Sequence, residues 1–261
     1  MVPAANRNGT RRNCTLSRMQ TLLSSVVLAA AASVSSILAP ALPGPPALAA
    51  PKTCATDAAA EAKEGFASLF DGKGLDGWIG DTKGYKVEAV KDAAGAESAA
   101  IVCQPGGTNL YTAAEFGDFE LRFDFLLTPG ANNGIALRSP PSGDPAYVGF
   151  ESQILDNGAE QYKGLKEWQY HGSIYGIAAA TATPHRPVGE WNCERIVMKG
   201  SKVTVEVNGV VIVDIDLKQV APDGKTISGH KVEGLARTQG HIGFCGHGDR
   251  VAYRNLRVKK L

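Results

Sequence analysis

The chain has 261 residues, 44% of them apolar and only 20% charged, with 27 basic side chains against 26 acidic ones. Such a composition excludes a wholly disordered chain and allows one large or two ordinary domains around a sizeable core. The near balance of charge already argues against a nucleic-acid binder.

At the N-terminus, Arg7, Arg11, Arg12 and Arg18 precede an apolar run from Leu22 to Leu38, and no acid appears before Asp57. That polarity predicts an export signal spanning residues 1–49, with cleavage after Ala49 in "ALAA". An uncleaved anchor is the alternative, because 17 apolar residues are marginally long enough to span a bilayer. The expected localisation is therefore periplasmic or secreted, with a membrane-anchored form as the variant. Removing the four arginines turns the net charge from +1 to −3, which again disfavours nucleic acid. Cys54, Cys103, Cys193 and Cys245 remain after cleavage. Their spacings of 49, 90 and 52 residues fit no zinc pattern, so disulfides or buried thiols are expected, with three pairings open.

An Ala-rich leader, residues 50–64, reads as a linker to a single domain over 65–261. Within that domain short β-patterned runs alternate with Gly, Pro, Asn and Asp. In "FELRFDFLL", Phe119, Leu121, Phe123 and Phe125 share one face, which predicts a half-buried strand. "NNGIALR" and "YVGFESQILD" follow as strands round a Pro/Gly loop, with Asn132-Asn133-Gly134 read as a turn. "CERIVMKGSKVTVEVNGVVIVDID" predicts a three-stranded meander turning at Lys199-Gly200 and Asn208-Gly209. "HIGFCGH" and "VAYRNLRVKKL" close the chain. With no βα rhythm and no repeat, the expected fold is all-β, a jelly-roll sandwich of two antiparallel sheets of the concanavalin type. Residues 156–173 and 218–239 are too long for simple turns and read as binding elements, the second with a short helix.

"FESQILDNG" carries the chemistry. Alternation puts Phe150 and Ile154 toward a core and Glu151 and Gln153 on the opposite surface, with Asp156 at the strand end. The spacing resembles the Glu-x-Asp-x-x-Glu signature of laminarinase-type retaining glycosidases, but an amide replaces the middle acid and Asp the last Glu. Ordinary retention needs two carboxyls about 5 Å apart, so that mechanism is disfavoured.

"FASLFDGKGLDGW", "FGDFELRFDF", "NNGIALR", "GFESQILD", "SIYG", "VGEWN", "VEVNG" and "GHIGFCGHGDRVAYRNLRV" occur in that order from Phe66 to Leu261. Together they resemble the 3-keto-disaccharide hydrolase family. The resemblance implies a jelly-roll enzyme acting on glycosides oxidised at C3. A C3 ketone acidifies the C2 proton, so one general base can drive elimination of the aglycone, and water then adds to the enone. Glu151, Asp156 and His247 are the expected catalytic groups. Gln153, Arg138, Trp168 and Tyr175 are expected to hold the sugar, the aromatics by stacking. A divalent cation on Glu151 and His247 would suit as a Lewis acid, and no organic cofactor is expected. The chain departs from the family's common Gln-x-His at Cys245-Gly246-His247. A small-molecule or oligosaccharide substrate and functional coupling to an upstream sugar 3-dehydrogenase follow from the same chemistry, which leaves hydrolase and lyase outcomes open. Bland readings stand beside these: His247 as a turn residue, Arg138 as a scaffold ion pair, His171 and His241 on the surface, Trp78 and Trp191 as packing. The rival functions are a lectin-like module and an envelope interaction scaffold.

Overall fold

A computed structural model describes residues 57–261. The predicted signal, its cleavage site and Cys54 lie outside those residues. In chain order the elements are α1 (Ala58–Lys63), β1 (Ala67–Ser68), β2 (Trp78–Gly80), β3 (Tyr85–Lys91), β4 (Glu97–Cys103), β5 (Leu110–Phe116) and β6 (Phe119–Leu127). There follow β7 (Asn132–Ser139), α2 (Pro145–Val148), β8 (Phe150–Leu155), β9 (Trp191–Lys199), β10 (Lys202–Val207) and β11 (Val210–Asp216). The last are α3 (Leu217–Val220), β12 (Gly240–Phe244) and β13 (Val251–Lys260).

Two antiparallel sheets form the jelly-roll sandwich the sequence predicts. One runs β11-β10-β9-β6-β13-β4-β3 with β1 added on β13, and the other runs β2-β5-β12-β7-β8. Phe119, Leu121, Phe123 and Phe125 of β6 meet Phe150 and Ile154 of β8 in one apolar core. The meander β9–β11 turns at Asn208 (φ 49°) and Gly209 (φ 84°), the left-handed pair a tight hairpin requires. Trp78 and Trp191 are buried, as their packing roles demand.

Three expectations change. Asn132-Asn133-Gly134 lies inside β7 rather than in a turn, because the ladder with β8 begins at Asn132 and Leu155. His171 and His241 are buried, not on the surface. The described part of the leader is α1, capped by Asp57, rather than a loose linker. Its Glu61 pairs with Arg122 and Arg257, and this explains why the outer face of β6 is also largely covered. Cys103 and Cys245 are free and buried, whereas Cys193 is disulfide-bonded.

Candidate active site

β8 is an edge strand of the five-stranded sheet, yet it is buried along its whole length. Its outer backbone edge is sealed by the returning long loop. Gly172 N–H donates to the Gln153 carbonyl (2.7 Å), Gln153 N–H to Ser173 (3.0 Å) and Tyr175 N–H to Glu151 (2.9 Å). Orphan strand-edge groups are thereby satisfied, which an apolar edge needs. Over this strand lies a cleft of about 160 Å³. Glu151, Gln153 and Leu155 of β8 form part of it, with Asn132 of β7 and Asp144, Ala146 and Tyr147 at α2. The long loop adds Tyr162, Leu165, Gln169 and Tyr175, and the β12–β13 connection adds His247.

Each wall has a local cause. Asp144 caps α2 through the Ala146 N–H (3.1 Å), and Pro145 supplies the preset first helical residue. The three-residue 3-10 turns of the long loop bring Trp168 edge-on to Tyr175 (ring centroids 5.1 Å), and Gln169 donates to the Tyr175 hydroxyl (3.0 Å). Behind α2, Gly234 backs directly onto Gly149: a Cβ there would lie 2.9 Å from Gly149 Cα and closer to its carbonyl.

Glu151 lies flat across β7. In register it faces Ala136, while Gln153 faces Gly134. A Cβ on Gly134 would sit 2.7 Å from Glu151 Cγ and Cδ, and nearer still to Oε1. Gly134 is therefore small to make room, not to relieve backbone strain. Burial, and then the charge of Asp144, push the Glu151 carboxyl up to about 8, with the nearby Cys245 thiol acting the other way. Glu151 Oε1, Gln153 Oε1 and Asn132 Oδ1 are buried without a protein partner. Three such acceptors round one cleft suit a ligand rich in hydroxyl donors.

The cleft gathers Glu151, Gln153, Tyr175 and His247 of the residues named from sequence, with Trp168 against its Tyr175 wall. It does not gather Asp156 or Arg138. Asp156 accepts from Gly130 N–H (2.8 Å) and Gly158 N–H (3.1 Å), tying down the base of the long loop. Arg138 is buried at the left-handed φ of 46° and donates to the carbonyls of Gly117 and Gly200 and to Asp118, at 2.8–2.9 Å. All three guanidinium nitrogens are engaged in the scaffold. Sequence reasoning missed Asp144 and Tyr147, although the Asp-Pro pair of "GDPAY" is a helix-start signal.

Beneath the floor, Ser152 donates to Glu194 of β9 (3.2 Å) between the sheets, and His171 Nε2 stands 3.7 Å from the same carboxyl. This is not an ion pair. The Leu155 N–H donates to His171 Nδ1 (3.2 Å), which leaves the ring proton on Nε2, and burial pushes the imidazole down to about 3. Burial likewise pushes Glu194 up to about 8.

Residues 65–259 match the profile of the 3-keto-alpha-glucoside-1,2-lyase-like domain. The chain belongs to this family. Its 3-keto-alpha-glucoside-1,2-lyase-like domain is similar to a Bacteroides thetaiotaomicron protein named 3-keto-disaccharide hydrolase, 28% identical over 233 residues, which cover 76% of this chain and 79% of that one. Two Parabacteroides distasonis structures, provisionally described as glycosyl hydrolases, share its fold. Each has a TM-score of 0.63; they are 24% and 25% identical and cover 75% and 77% of this chain and 99% and 96% of their own.

Among the described residues no three His, Cys, Asp or Glu side chains converge as a ligand set; Glu151 and His247, the ligands expected from sequence, line the same cleft as the unpartnered oxygens of Gln153 and Asn132.

Proposed function

We propose that this chain is an exported enzyme that cleaves 3-keto-glycosides by elimination, with water completing a net hydrolysis. The reading rests above all on Glu151: a buried carboxyl lining the cleft and pushed up to about 8, with one oxygen left without a protein partner. A base poised near neutral pH is what proton abstraction beside a ketone requires. Glu151 takes the C2 proton and the pair forms the C2–C3 enolate; as the C3 carbonyl re-forms, the π pair moves into the C1–C2 bond and the C1–oxygen bond breaks. The aglycone leaves with that oxygen, which takes up a proton. Addition of water across the resulting enone returns the 3-keto sugar. His247, exposed at the cleft, protonates the leaving oxygen, and the Tyr147 or Tyr175 hydroxyl faces the enolate oxygen. No second buried carboxyl lines the cleft, since Asp144 is exposed and caps α2.

The cleft is well below the ~300–1,000 Å³ that drug-sized ligands fill, so it takes one sugar ring and leaves the aglycone outside. The relative named 3-keto-disaccharide hydrolase supports this substrate class. Export is supported by the basic-then-apolar pattern of residues 1–49 and by the disulfide-bonded Cys193. A sugar 3-dehydrogenase reaction must supply the ketone.

The decisive test is incubation with a chromogenic 3-keto-glucoside and its unoxidised parent, in deuterated water. Release from the keto compound alone, with deuterium found at C2, is expected. Release without deuterium at C2 would replace elimination with direct hydrolysis, and Glu151→Gln at full activity would remove the assigned base.

A further inference from the structure

We infer that Glu194 of β9 is a positioning residue for Glu151, acting across the core through Ser152. This rests on the reading of Glu151 as the base. Glu151 Oε1 is buried with no protein partner, so the aim of the carboxyl depends on where β8 holds the backbone beneath it. Among the strands, β8 pairs with β7 alone, and Phe150 and Ile154 on its inward face are apolar. Apolar contacts have no preferred direction, so they fix depth but not alignment. Ser152, between Glu151 and Gln153, is the polar member of that inward face, and its hydroxyl donates to Glu194 Oε1 (3.2 Å). β9 is hydrogen-bonded on both sides, to β6 and β10, where Glu194 stands opposite Phe123 and Val207. The bond therefore ties the residue beside the base to an interior strand of the other sheet.

A second path returns to the same strand. His171 Nε2 faces the other Glu194 oxygen at 3.7 Å, and His171 Nδ1 accepts from the Leu155 N–H (3.2 Å) at the end of β8. The imidazole is held in its turn, 4.9 Å from the Phe125 ring, and its backbone N–H donates to Asn157 (2.9 Å). Glu194 thus sits between two points on β8, Ser152 and Leu155. Ser152, Glu194 and His171 are all buried. Apolar residues of similar volume would pack the two sheets at least as stably as a buried acid. What the carboxyl adds is a directional acceptor beneath the strand that carries the base.

The experiment measures Ser152→Ala, Glu194→Leu, their double variant and Glu194→Gln on the chromogenic 3-keto-glucoside and on the same compound deuterated at C2. Ser152→Ala and Glu194→Leu are each expected to lower kcat ~10-fold at nearly unchanged KM, since a base held less firmly spends less time aligned. The double variant is expected to be no slower than the slower single one, because both changes remove the same bond. Glu194→Gln keeps an acceptor for Ser152 and is expected to retain most of kcat. In the slow variants the isotope effect on kcat is expected to be at least the parent's, because proton abstraction is the step that slows. Parental kcat in Ser152→Ala overturns the inference, as do single losses that multiply in the double variant or an isotope effect smaller than the parent's. If Glu194→Leu does not fold, Ser152→Ala, which removes a single oxygen, decides together with Glu194→Gln. Glu151→Gln, run alongside, separates the two readings. Full activity there removes the base itself, whereas its inactivity beside a fully active Ser152→Ala removes only the tie.

Discussion

Gly134→Ala offers the sharpest test of the site, because the perturbation is one methyl group and the backbone should welcome it. Gly134 lies in β7 without a positive φ, so alanine there meets no conformational penalty and lowers unfolded-state entropy. The new Cβ would stand 2.7 Å from Glu151 Cγ and Cδ. Ordinary carbon contacts lie at about 3.5–4.0 Å, so the carboxyl must retreat by about 1 Å. It can do so only into the cleft, out of its path over β7. A misplacement of about 1 Å costs on the order of 100-fold in rate. The expected enzyme is folded, with kcat on the 3-keto substrate down about 100-fold and little loss of melting temperature. Steady-state kinetics beside a thermal melt reads both. A variant within about 3-fold of the parent in kcat, at unchanged stability, would refute the placement of Glu151 as base.

Other outcomes follow from the same geometry. Because Glu151 must be ionised to act and its carboxyl is pushed up to about 8, kcat/KM should rise with pH and level off above about 8; a profile flat from pH 6 upward would contradict it. Glu194 is raised from 4.5 to about 8, so the folded state holds a proton that the unfolded chain has already lost, and stability must fall as pH climbs toward 8. Below about 6.5 the depressed His171 opposes that slope, so the clean window is about 6.5 to 8. Glu194→Gln should remove about 2 kcal/mol of that decline in urea titrations, leaving the part due to Glu151. Gly234→Ala should press Gly149 and α2 toward the cleft and raise KM several-fold in initial-rate assays, leaving the fold intact by circular dichroism. Arg138→Met should cost about 3 kcal/mol by removing the three hydrogen bonds of a buried guanidinium, yet leave kcat unchanged; a kcat loss in the folded variant would return Arg138 to the site.

The sandwich was readable because β6 and the β9–β11 meander alternate cleanly and turn at Asn-Gly and Lys-Gly. Glu151 and Gln153 were readable for the same reason, since strand parity puts them opposite Phe150 and Ile154. What parity cannot report is where a side chain goes after leaving its strand. Asp156 sits three residues past Gln153 and looked like a partner, but its oxygens close backbone turns. Arg138 lies near the end of a strand beside the site in sequence, yet its guanidinium turns to the β5–β6 and β9–β10 connections, at Gly117 and Gly200. His171 was misread because its neighbour Gly172 suggests an exposed turn, while the ring plugs the core beside Phe125. Asp144 and Tyr147 were hidden by "SPPSGDP", whose composition announces a loop and conceals the short helix it starts. Cys245 stayed open between a disulfide half and a buried thiol, since compartment and spacing say nothing of what faces a thiol.

The loop that carries Trp168 and Tyr175 is hydrogen-bonded to the very residues, Glu151 and Gln153, whose side chains line the cleft. Under the proposed function, substrate preference and proton transfer are thus written on one stretch of backbone. A relative that exchanged this loop to accept a bulkier aglycone would also re-aim its base. New specificities in such a scaffold should therefore arise by replacing side chains on a loop of fixed length, and grafts of the whole segment should yield inert proteins far more often than altered ones.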